Sequence, residues 1–180
     1  MAEYYEMQIA GLTRKLKKCA VSDTLDIAAF IMLGDVEVTV ESAKALLKKV
    51  PDFDIILTAE CKGIPLAYEM ARQSGKPYVV ARKSVKLYMD NVISVKVKSI
   101  TTANEQVLHL DGDTAALMKD KRLLILDDVI STGESLNALE ALAKKAGASI
   151  VGEACVLAEG SASKRQDLIF LEPLPLFFKD

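Results

Sequence analysis

The chain has 180 residues with a formal net charge of −2, and 51% of its residues are hydrophobic. This length predicts a single domain, residues 1–180, with its own core, and the balanced charge argues against a nucleic-acid partner. Three widely spaced cysteines argue against a zinc site and fit a reducing cytoplasm. We find neither an apolar run of the roughly 18 residues that a membrane helix needs nor the apolar segment of a signal peptide, so we expect a cytoplasmic protein with no membrane partner.

The first fifty residues predict two helices. Apolar side chains recur at helical spacing within residues 6–20, with Lys and Arg between them, which indicates a short amphipathic helix. A second helix is predicted over residues 40–50, and Pro51 ends it.

Beyond Pro51, short apolar strands alternate with amphipathic helices. The predicted strands are residues 54–58, 78–81, 123–126, 150–157 and 168–171, and the predicted helices are residues 64–73 and 134–145. This alternation indicates an α/β fold with a central, mostly parallel sheet flanked by helices.

Residues 82–120 interrupt the alternation. Residues 92–98 alternate between apolar and polar side chains, as a half-exposed strand does, and residues 106–110 can return as the partner strand of a hairpin. The polar stretch 99–105 between them has no core-forming side chain after Ile100. Because long loops in compact domains are usually functional or disordered, we expect a flexible hairpin that acts as a lid.

Residues 123–135 are the segment most suited to chemistry. The predicted strand runs into Asp127 and Asp128, and a turn over residues 131–135 then opens a helix. Ligands of open parallel sheets bind at the carboxyl ends of strands, where these carboxylates would emerge. The hydroxyl-rich turn and the helix N-terminus suit a phosphate, and Gly133 permits close approach. The pattern therefore predicts a sugar-phosphate site, with an ordinary strand end and helix cap as the alternative.

The same segment resembles the signature by which type I phosphoribosyltransferases bind 5-phosphoribosyl 1-pyrophosphate (PRPP). The shared features are an apolar strand, two acids, two apolar residues and a Ser/Ala-Thr-Gly loop. Residues 58–63 resemble the Glu-x-x-Gly pyrophosphate loop of the adenine and xanthine branch, and Arg82-Lys83 resembles that family's Arg-Lys pair. The resemblance implies the type I phosphoribosyltransferase fold, with a small N-terminal hood (about residues 1–50 plus the C-terminal tail) and a core of about residues 51–160.

The resemblance also implies a reaction, in which ribose 5-phosphate moves from PRPP to a base and pyrophosphate is released. The residues implied to bind PRPP are Asp127, Asp128, Ser131, Thr132, Gly133, Glu134 and Ser135. Those implied to bind pyrophosphate are Glu60, Cys61, Lys62, Gly63, Arg82 and Lys83. Asp127 and Asp128 would hold the ribose hydroxyls and Glu105 would handle a proton of the base. Mg²⁺ would be held through PRPP, with the two aspartates as candidate ligands. We expect His109, the sole histidine, to be structural.

The base is the least determined part of the prediction. Residues 25–32 resemble the hood segment of xanthine phosphoribosyltransferases, which implies base contacts from Leu25, Phe30, Met32 and Glu159. Met32 and Gly160 stand where those enzymes have asparagine and lysine, and residues 174–178 resemble the tail of adenine phosphoribosyltransferases. We therefore expect adenine as the substrate, AMP as the product, a role in purine salvage and a homodimer. The alternatives are a hypoxanthine, guanine or xanthine phosphoribosyltransferase, or a non-catalytic PRPP-sensing regulator.

Overall fold

The computed structural model describes residues 2–98 and 105–179 and has a mixed α/β architecture. Its strands are β1 Tyr4–Ile9, β2 Leu12–Ser22, β3 Leu25–Ala29, β4 Ile55–Ala59, β5 Tyr78–Ala81, β6 Ile93–Lys98, β7 Glu105–Leu110, β8 Arg122–Ile130, β9 Ser149–Glu159, β10 Leu168–Leu174 and β11 Leu176–Phe178. Its α-helices are α1 Val36–Leu47, α2 Ile64–Ser74, α3 Gly112–Met118 and α4 Glu134–Lys145, and a 3-10 helix spans Gly160–Lys164. No helix within the described ranges is long and apolar enough to span a membrane.

The centre of the fold is a parallel five-stranded sheet in the order β10-β9-β8-β4-β5. Its inner strands are apolar on both faces because both faces are covered. In β4, for example, Ile56 packs into the core beside α1 and α2, whereas Ile55 and Leu57 pack into the core beside α4. The predicted fold class is therefore confirmed.

The helix ends follow from local chemistry. Helix α1 begins at Val36, earlier than predicted, because the Asp35 side chain accepts a hydrogen bond from the backbone N–H of Val38 (3.1 Å) and caps the first turn. Helix α2 ends at Ser74, and the next residue, Gly75, caps it with a left-handed φ of 70° and an N–H that donates to the carbonyl of Ala71. Helix α4 has the bounds that the sequence predicts.

The predicted helix over residues 6–20 is wrong, since this segment forms the antiparallel hairpin of β1 and β2. The apolar residues Met7, Ile9 and Leu16 fit a helical repeat, but they also alternate along each strand. Ala10 and Gly11 separate the strands, and both have positive φ (50° and 83°), which matches a two-residue hairpin turn. Because the turn folds the segment into two strands, every second side chain faces the core, and these include the apolar ones.

A second sheet, of order β1-β2-β3-β11, combines N-terminal strands with the C-terminal tail. Strand β11 pairs antiparallel with β3, which places Phe177 opposite Asp26. Tyr5 packs edge-on against the Phe177 ring (5.2 Å between centroids), and Lys18 Nζ lies 4.4 Å from the centre of that ring. The tail thus closes the small N-terminal sheet, as expected for the hood.

Strands β6 and β7 form the predicted hairpin, which packs on α4. Its base is tied to the end of β5 by two backbone hydrogen bonds of 2.8 Å between Arg82 and His109. His109 Nδ1 also lies 2.7 Å from the Ser94 hydroxyl, in keeping with a structural role. The predicted lid, residues 99–105, lies outside the described residues except for Glu105, whose backbone begins β7. Helix α3 follows this hairpin and was not predicted from the sequence.

Candidate active site

The parallel order of the sheet brings four chain segments to one edge. Glu60 follows β4, Arg82 follows β5, Asp127 lies late in β8 and Glu159 ends β9. Ligands of such sheets bind beyond the carboxyl ends of the strands. The segments that the sequence singled out for chemistry therefore meet at this edge.

A cavity of about 330 Å³ opens between these segments. Its walls are formed by Ala59, Glu60, Cys61, Lys62, Lys83, Leu108, Asp127, Asp128, Val129 and Ser135. One wall carries the predicted ribose acids and the other carries the predicted pyrophosphate turn. The structure thus brings together two motifs that are far apart in the sequence.

The two aspartates of β8 have different surroundings. Asp128 is 2% exposed, and its Oδ2 lies 3.1 Å from Nζ of Lys62 on the opposite wall. Its backbone N–H donates a hydrogen bond of 2.9 Å to the carboxylate of Asp127, which is half-buried and lines the cavity. Burial, and secondarily the charge of Asp128, raises the pKa of Asp127 to about 7. A carboxyl group poised near neutrality beside a buried carboxylate is characteristic of a functional site.

The turn after β4 is closely packed against β8. A Cβ atom on Gly63 would overlap the Thr58 hydroxyl and lie 3.0 Å from Oδ1 of Asp127, so only glycine fits this approach. The peptide bond between Glu60 and Cys61 is cis. Cys61 has an exposed thiol at the cavity wall. These contacts fix the backbone of the turn directly opposite the aspartates.

Glu60 links this turn to the end of β5. Its carboxylate accepts a hydrogen bond of 3.1 Å from the backbone N–H of Lys83 and lies 3.5 Å from Nη1 of Arg82. The backbone bond from Lys83, and secondarily the charge of Arg82, lowers the pKa of Glu60. Arg82 in turn donates a hydrogen bond of 3.0 Å from Nη2 to the Tyr88 hydroxyl. Lys83 lines the cavity, whereas the side chain of Arg82 contacts Glu60 and Tyr88.

The turn 131–135 joins β8 to α4 and encloses a smaller cavity of about 60 Å³. Gly133 has a φ of 81° at the start of the helix, and its carbonyl accepts the N–H of Asn137 (2.9 Å). Asp127 borders this small cavity as well as the larger one. The backbone of the turn and the helix N-terminus thus lie beside the acids, as an anion site requires.

Comparison with known proteins gives this arrangement a family. The model of the phosphoribosyl transferase domain matches residues 39–172. The chain belongs to the phosphoribosyl transferase family. The resemblance to type I phosphoribosyltransferases drawn from the motifs is thereby confirmed.

Relatives in sequence include enzymes for different bases. A hypoxanthine/guanine phosphoribosyltransferase of Methanotorris igneus is 37% identical over 127 residues, which cover 69% of this chain and 65% of that protein. An adenine phosphoribosyltransferase of Rhodospirillum rubrum is 32% identical over 120 residues, covering 64% of this chain and 63% of that one. This phosphoribosyl transferase chain thus spans less than two thirds of the length of these curated relatives.

Solved structures confirm the fold. The adenine phosphoribosyltransferase from Thermoanaerobacter pseudethanolicus has a TM-score of 0.73 at 20% identity, covering 88% of this chain and 95% of that one. The enzyme from Trypanosoma brucei, solved with AMP, pyrophosphate and ribose-5-phosphate, has a TM-score of 0.69 at 20% identity, covering 88% of this chain and 76% of that one. At such low identity the likeness concerns the architecture of the phosphoribosyl transferase fold.

The residues predicted to contact the base lie in differing surroundings. Met32 is fully buried, Phe30 is 6% exposed, and both belong to the core cluster beside the hood. Leu25 lies in β3 opposite Phe178 of the tail. None of these three borders the cavity beside Asp127. Glu159 is half-buried at the end of β9, and burial raises the pKa of its carboxyl.

Within residues 2–98 and 105–179, no group of three or more His, Cys, Asp and Glu side chains could form a metal site. The cavity still offers the carboxylates of Asp127 and Asp128. Mg²⁺ keeps several waters and is commonly held by one or two carboxylates together with substrate phosphates. These residues therefore fit Mg²⁺ that arrives with a phosphorylated substrate.

Two residues at the site were not assigned roles from the sequence. Thr58 has a buried hydroxyl that finds no hydrogen-bond partner in the described part of the chain, and it abuts Gly63. Tyr88 holds Arg82 through its hydroxyl. Neither carries a sequence signal of its own, because an isolated threonine or tyrosine is ordinary in a strand or a loop.

Proposed function

We propose that this chain is a purine phosphoribosyltransferase built as a single domain over residues 1–180. It would transfer ribose 5-phosphate from PRPP to a purine nitrogen and release pyrophosphate. The observation that carries the proposal is the cavity in which Asp127 and Asp128 face the turn of Glu60, Cys61 and Lys62. A simple sugar phosphate would need only the wall of Asp127 and Asp128. PRPP also carries a pyrophosphate group, which would occupy the wall formed by the turn after β4.

Each wall would act on its own part of PRPP. Carboxylates of Asp127 and Asp128 accept hydrogen bonds from the ribose hydroxyls, and the backbone N–H groups of the turn 131–135 hold the 5-phosphate. Lys62 and Lys83 line the wall proposed for pyrophosphate, so they would stabilise the charge that develops as pyrophosphate departs, and hence the transition state more than the bound substrate. Bound Mg²⁺ would supply further neutralisation of the pyrophosphate charge.

The anomeric carbon passes through an oxocarbenium-like state during such transfers. Water must then be excluded, because it would otherwise attack this carbon and hydrolyse PRPP. The lid over residues 99–105 is proposed to close the cavity, and Glu105 is proposed to handle the proton of the base. Arg82 would act on pyrophosphate indirectly, because it braces Glu60 and hence the turn beneath pyrophosphate.

Adenine is the base that we propose, with AMP as the product in purine salvage. Xanthine has two carbonyl oxygens that require hydrogen-bond donors. Met32 and Gly160 stand where xanthine enzymes have an asparagine and a lysine, so those donors are missing. The carboxyl of Glu159, whose pKa is raised, is the polar group that the proposed base-binding set retains.

A second candidate is a hypoxanthine/guanine phosphoribosyltransferase. Curated relatives with that name reach 37% identity, slightly above the 34% of an adenine phosphoribosyltransferase from Thermotoga petrophila. The sequence identities therefore support the transferase class better than they support either base.

One assay separates these candidates. The protein is incubated with PRPP, Mg²⁺ and adenine, hypoxanthine, guanine or xanthine in turn, and nucleotide formation is followed by chromatography. AMP formed at the highest kcat/KM supports adenine, and IMP or GMP supports the second candidate. Binding of PRPP by calorimetry without product from any base would instead indicate the PRPP-sensing regulator and overturn the proposed reaction.

We also propose that the protein is a cytoplasmic homodimer. Val36 (73% exposed) and Tyr68 (56% exposed) border one groove between α1 and α2, and a second copy of the chain would cover these apolar side chains. Light scattering of the purified protein tests the dimer. The variant Tyr68→Glu is expected to shift the measured mass towards that of the monomer. A monomeric mass for the natural chain would contradict the proposal.

A further inference from the structure

A guanidinium group lies beside the turn 131–135. Nη1 of Arg165 lies 3.6 Å from the position that a Cβ atom on Gly133 would take, and apart from adjacent loop residues it is the one heavy atom within 4 Å of that position in the described structure. Arg165 follows the 3-10 helix that ends at Lys164. Arg165 is distant in sequence from the turn 131–135, and folding brings the two together.

The orientation of Arg165 is set by two carboxylates. Its Nη2 donates a hydrogen bond of 3.0 Å to Glu153 and one of 2.7 Å to Asp167, and its Nε donates one of 2.9 Å to Asp167. These bonds hold one side of the planar group, and among the described residues Nη1 has no hydrogen-bond acceptor. The remaining nitrogen is therefore held in place beside Gly133.

The charge around the turn makes a cation valuable there. The turn itself carries Glu134 and no basic residue, and Asp127 and Asp128 precede it. Lys62 and Lys83 line the wall assigned to pyrophosphate. A phosphate dianion in the turn would find no basic side chain in the turn itself, and a fixed arginine fork is well matched to phosphate oxygens.

We propose that Arg165 binds the 5-phosphate of PRPP through Nη1, with Glu153 and Asp167 as the residues that position it. The inference rests on the proposed function, because that function assigns the turn 131–135 to the 5-phosphate. It adds a side-chain cation to a subsite otherwise made of backbone N–H groups and hydroxyls. Glu153 and Asp167 act only through the orientation of Arg165.

The test measures the two halves of PRPP separately. Binding of ribose 5-phosphate and of inorganic pyrophosphate with Mg²⁺ is followed by calorimetry for the natural chain, Arg165→Gln and Arg165→Lys. Arg165→Gln is expected to weaken ribose 5-phosphate binding by about tenfold or more, since a charged hydrogen bond is lost, and to leave pyrophosphate binding unchanged. Arg165→Lys keeps the positive charge but loses the planar fork, so its affinity for ribose 5-phosphate should fall between those of the natural chain and Arg165→Gln.

Arg122→Gln is the matched control. Arg122 is likewise held by two acids, Asp54 (2.9 Å) and Asp52 (3.5 Å), but it begins β8 at the end of the sheet opposite Asp127. Both ligands should bind this variant as they bind the natural chain. An equal loss of ribose 5-phosphate binding in Arg122→Gln and Arg165→Gln would overturn the proposal.

Loss of folding is controlled by a second variant. Arg165→Gln leaves Glu153, which is 9% exposed, without its cation, so Arg165→Gln with Glu153→Gln removes the unpaired acid as well. This double variant should melt close to the natural chain and still bind ribose 5-phosphate weakly. Unchanged affinity in the double variant, or parallel loss of both ligands, would overturn the inference.

The same data separate this inference from the proposed function. If the natural chain forms nucleotide from PRPP and Arg165→Gln retains its affinity for ribose 5-phosphate, the inference fails and the function stands. If Arg165 is needed for ribose 5-phosphate binding but no base yields nucleotide, the function fails and the inference stands. Absence of ribose 5-phosphate binding by the natural chain overturns the inference.

Discussion

The ammonium group of Lys62 lies 3.1 Å from Oδ2 of Asp128, a carboxylate that is almost fully buried. Lys62 belongs to the turn after β4 and Asp128 to β8, so this ion pair joins the two walls of the cavity. Oδ2 of Asp128 has no hydrogen bond of good geometry in the described part of the chain. The buried charge of Asp128 therefore depends on Lys62, and a bound substrate would have to compensate for any movement of that lysine.

Replacing Lys62 by Met should destabilise the protein, because it leaves a buried carboxylate without its cation. The double variant Lys62→Met with Asp128→Asn should recover most of the loss, since the unpaired charge is gone. Urea unfolding of four proteins gives this comparison: the natural chain, Lys62→Met, Asp128→Asn and the double variant. Lys44→Met, which removes an exposed ion pair with Glu41, should stay close to the natural chain. Strictly additive effects of the two substitutions would contradict the coupling.

The variants Asp127→Asn and Asp128→Asn should each weaken the use of PRPP by about an order of magnitude or more, because a charged hydrogen bond to a ribose hydroxyl contributes roughly 1.5–3 kcal/mol. Steady-state kinetics with PRPP as the varied substrate would show this change in kcat/KM. Asp52→Asn, at an exposed site far along the sheet, serves as the control. Kinetics like those of the natural chain in both cavity variants would remove our placement of the ribose.

Gly63→Ala should abolish most activity and lower the melting temperature. The added Cβ would overlap the Thr58 hydroxyl and press on Asp127, so the turn must move away from β8. Cys61→Ala changes the same turn without adding an atom near β8 and should retain its fold. Calorimetry of pyrophosphate binding compares both variants with the natural chain, and an affinity of Gly63→Ala equal to that of the natural chain would show that the turn tolerates displacement.

The pKa of Asp127 gives stability a defined pH dependence. Burial and the neighbouring Asp128 raise this pKa to about 7, so the folded protein holds the proton more tightly than the unfolded chain does. The contribution of Asp127 to stability is then greatest in acid and falls as the pH rises through about 7. From about pH 5 to about pH 8, the free energy of unfolding should decrease more for the natural chain than for Asp127→Asn. Glu153 and Glu159, whose pKa values are also raised, contribute alike in both proteins. Parallel curves would contradict this assignment.

Much of the core could be predicted because local pattern and tertiary role coincide there. The bounds of β5 and α4 match the prediction, because Gly and Pro residues next to these elements and the amphipathic spacing within α4 indicate where they begin and end. The cavity followed from topology, because motifs after parallel strands meet at one edge. The N-terminal hairpin was misjudged because its few apolar residues satisfy both a helical and an alternating repeat.

Other features depend on contacts that a linear pattern does not encode. Arg82 contacts Glu60 and Tyr88, and its motif indicates neither contact, whereas its predicted role towards pyrophosphate stays a prediction. Met32 is fully buried, although its position in the hood suggested a contact with the base. Arg165 was not predicted, since nothing near it in the chain indicates that it reaches Gly133. The base contacts and the role of Glu105 stay predictions.

The pairing of β3 with β11 also bears on the order in which the protein folds. These strands come from opposite ends of the described chain, so their contact closes a very long loop. Closing such a loop loses chain entropy before the contacts between the strands can compensate for it, so pairings of this kind form slowly. The parallel sheet should therefore assemble first, and the small N-terminal sheet should complete last. Amide hydrogen exchange would then detect β11 opening well before the central strands, so that the part proposed to hold the base is less protected than the central sheet.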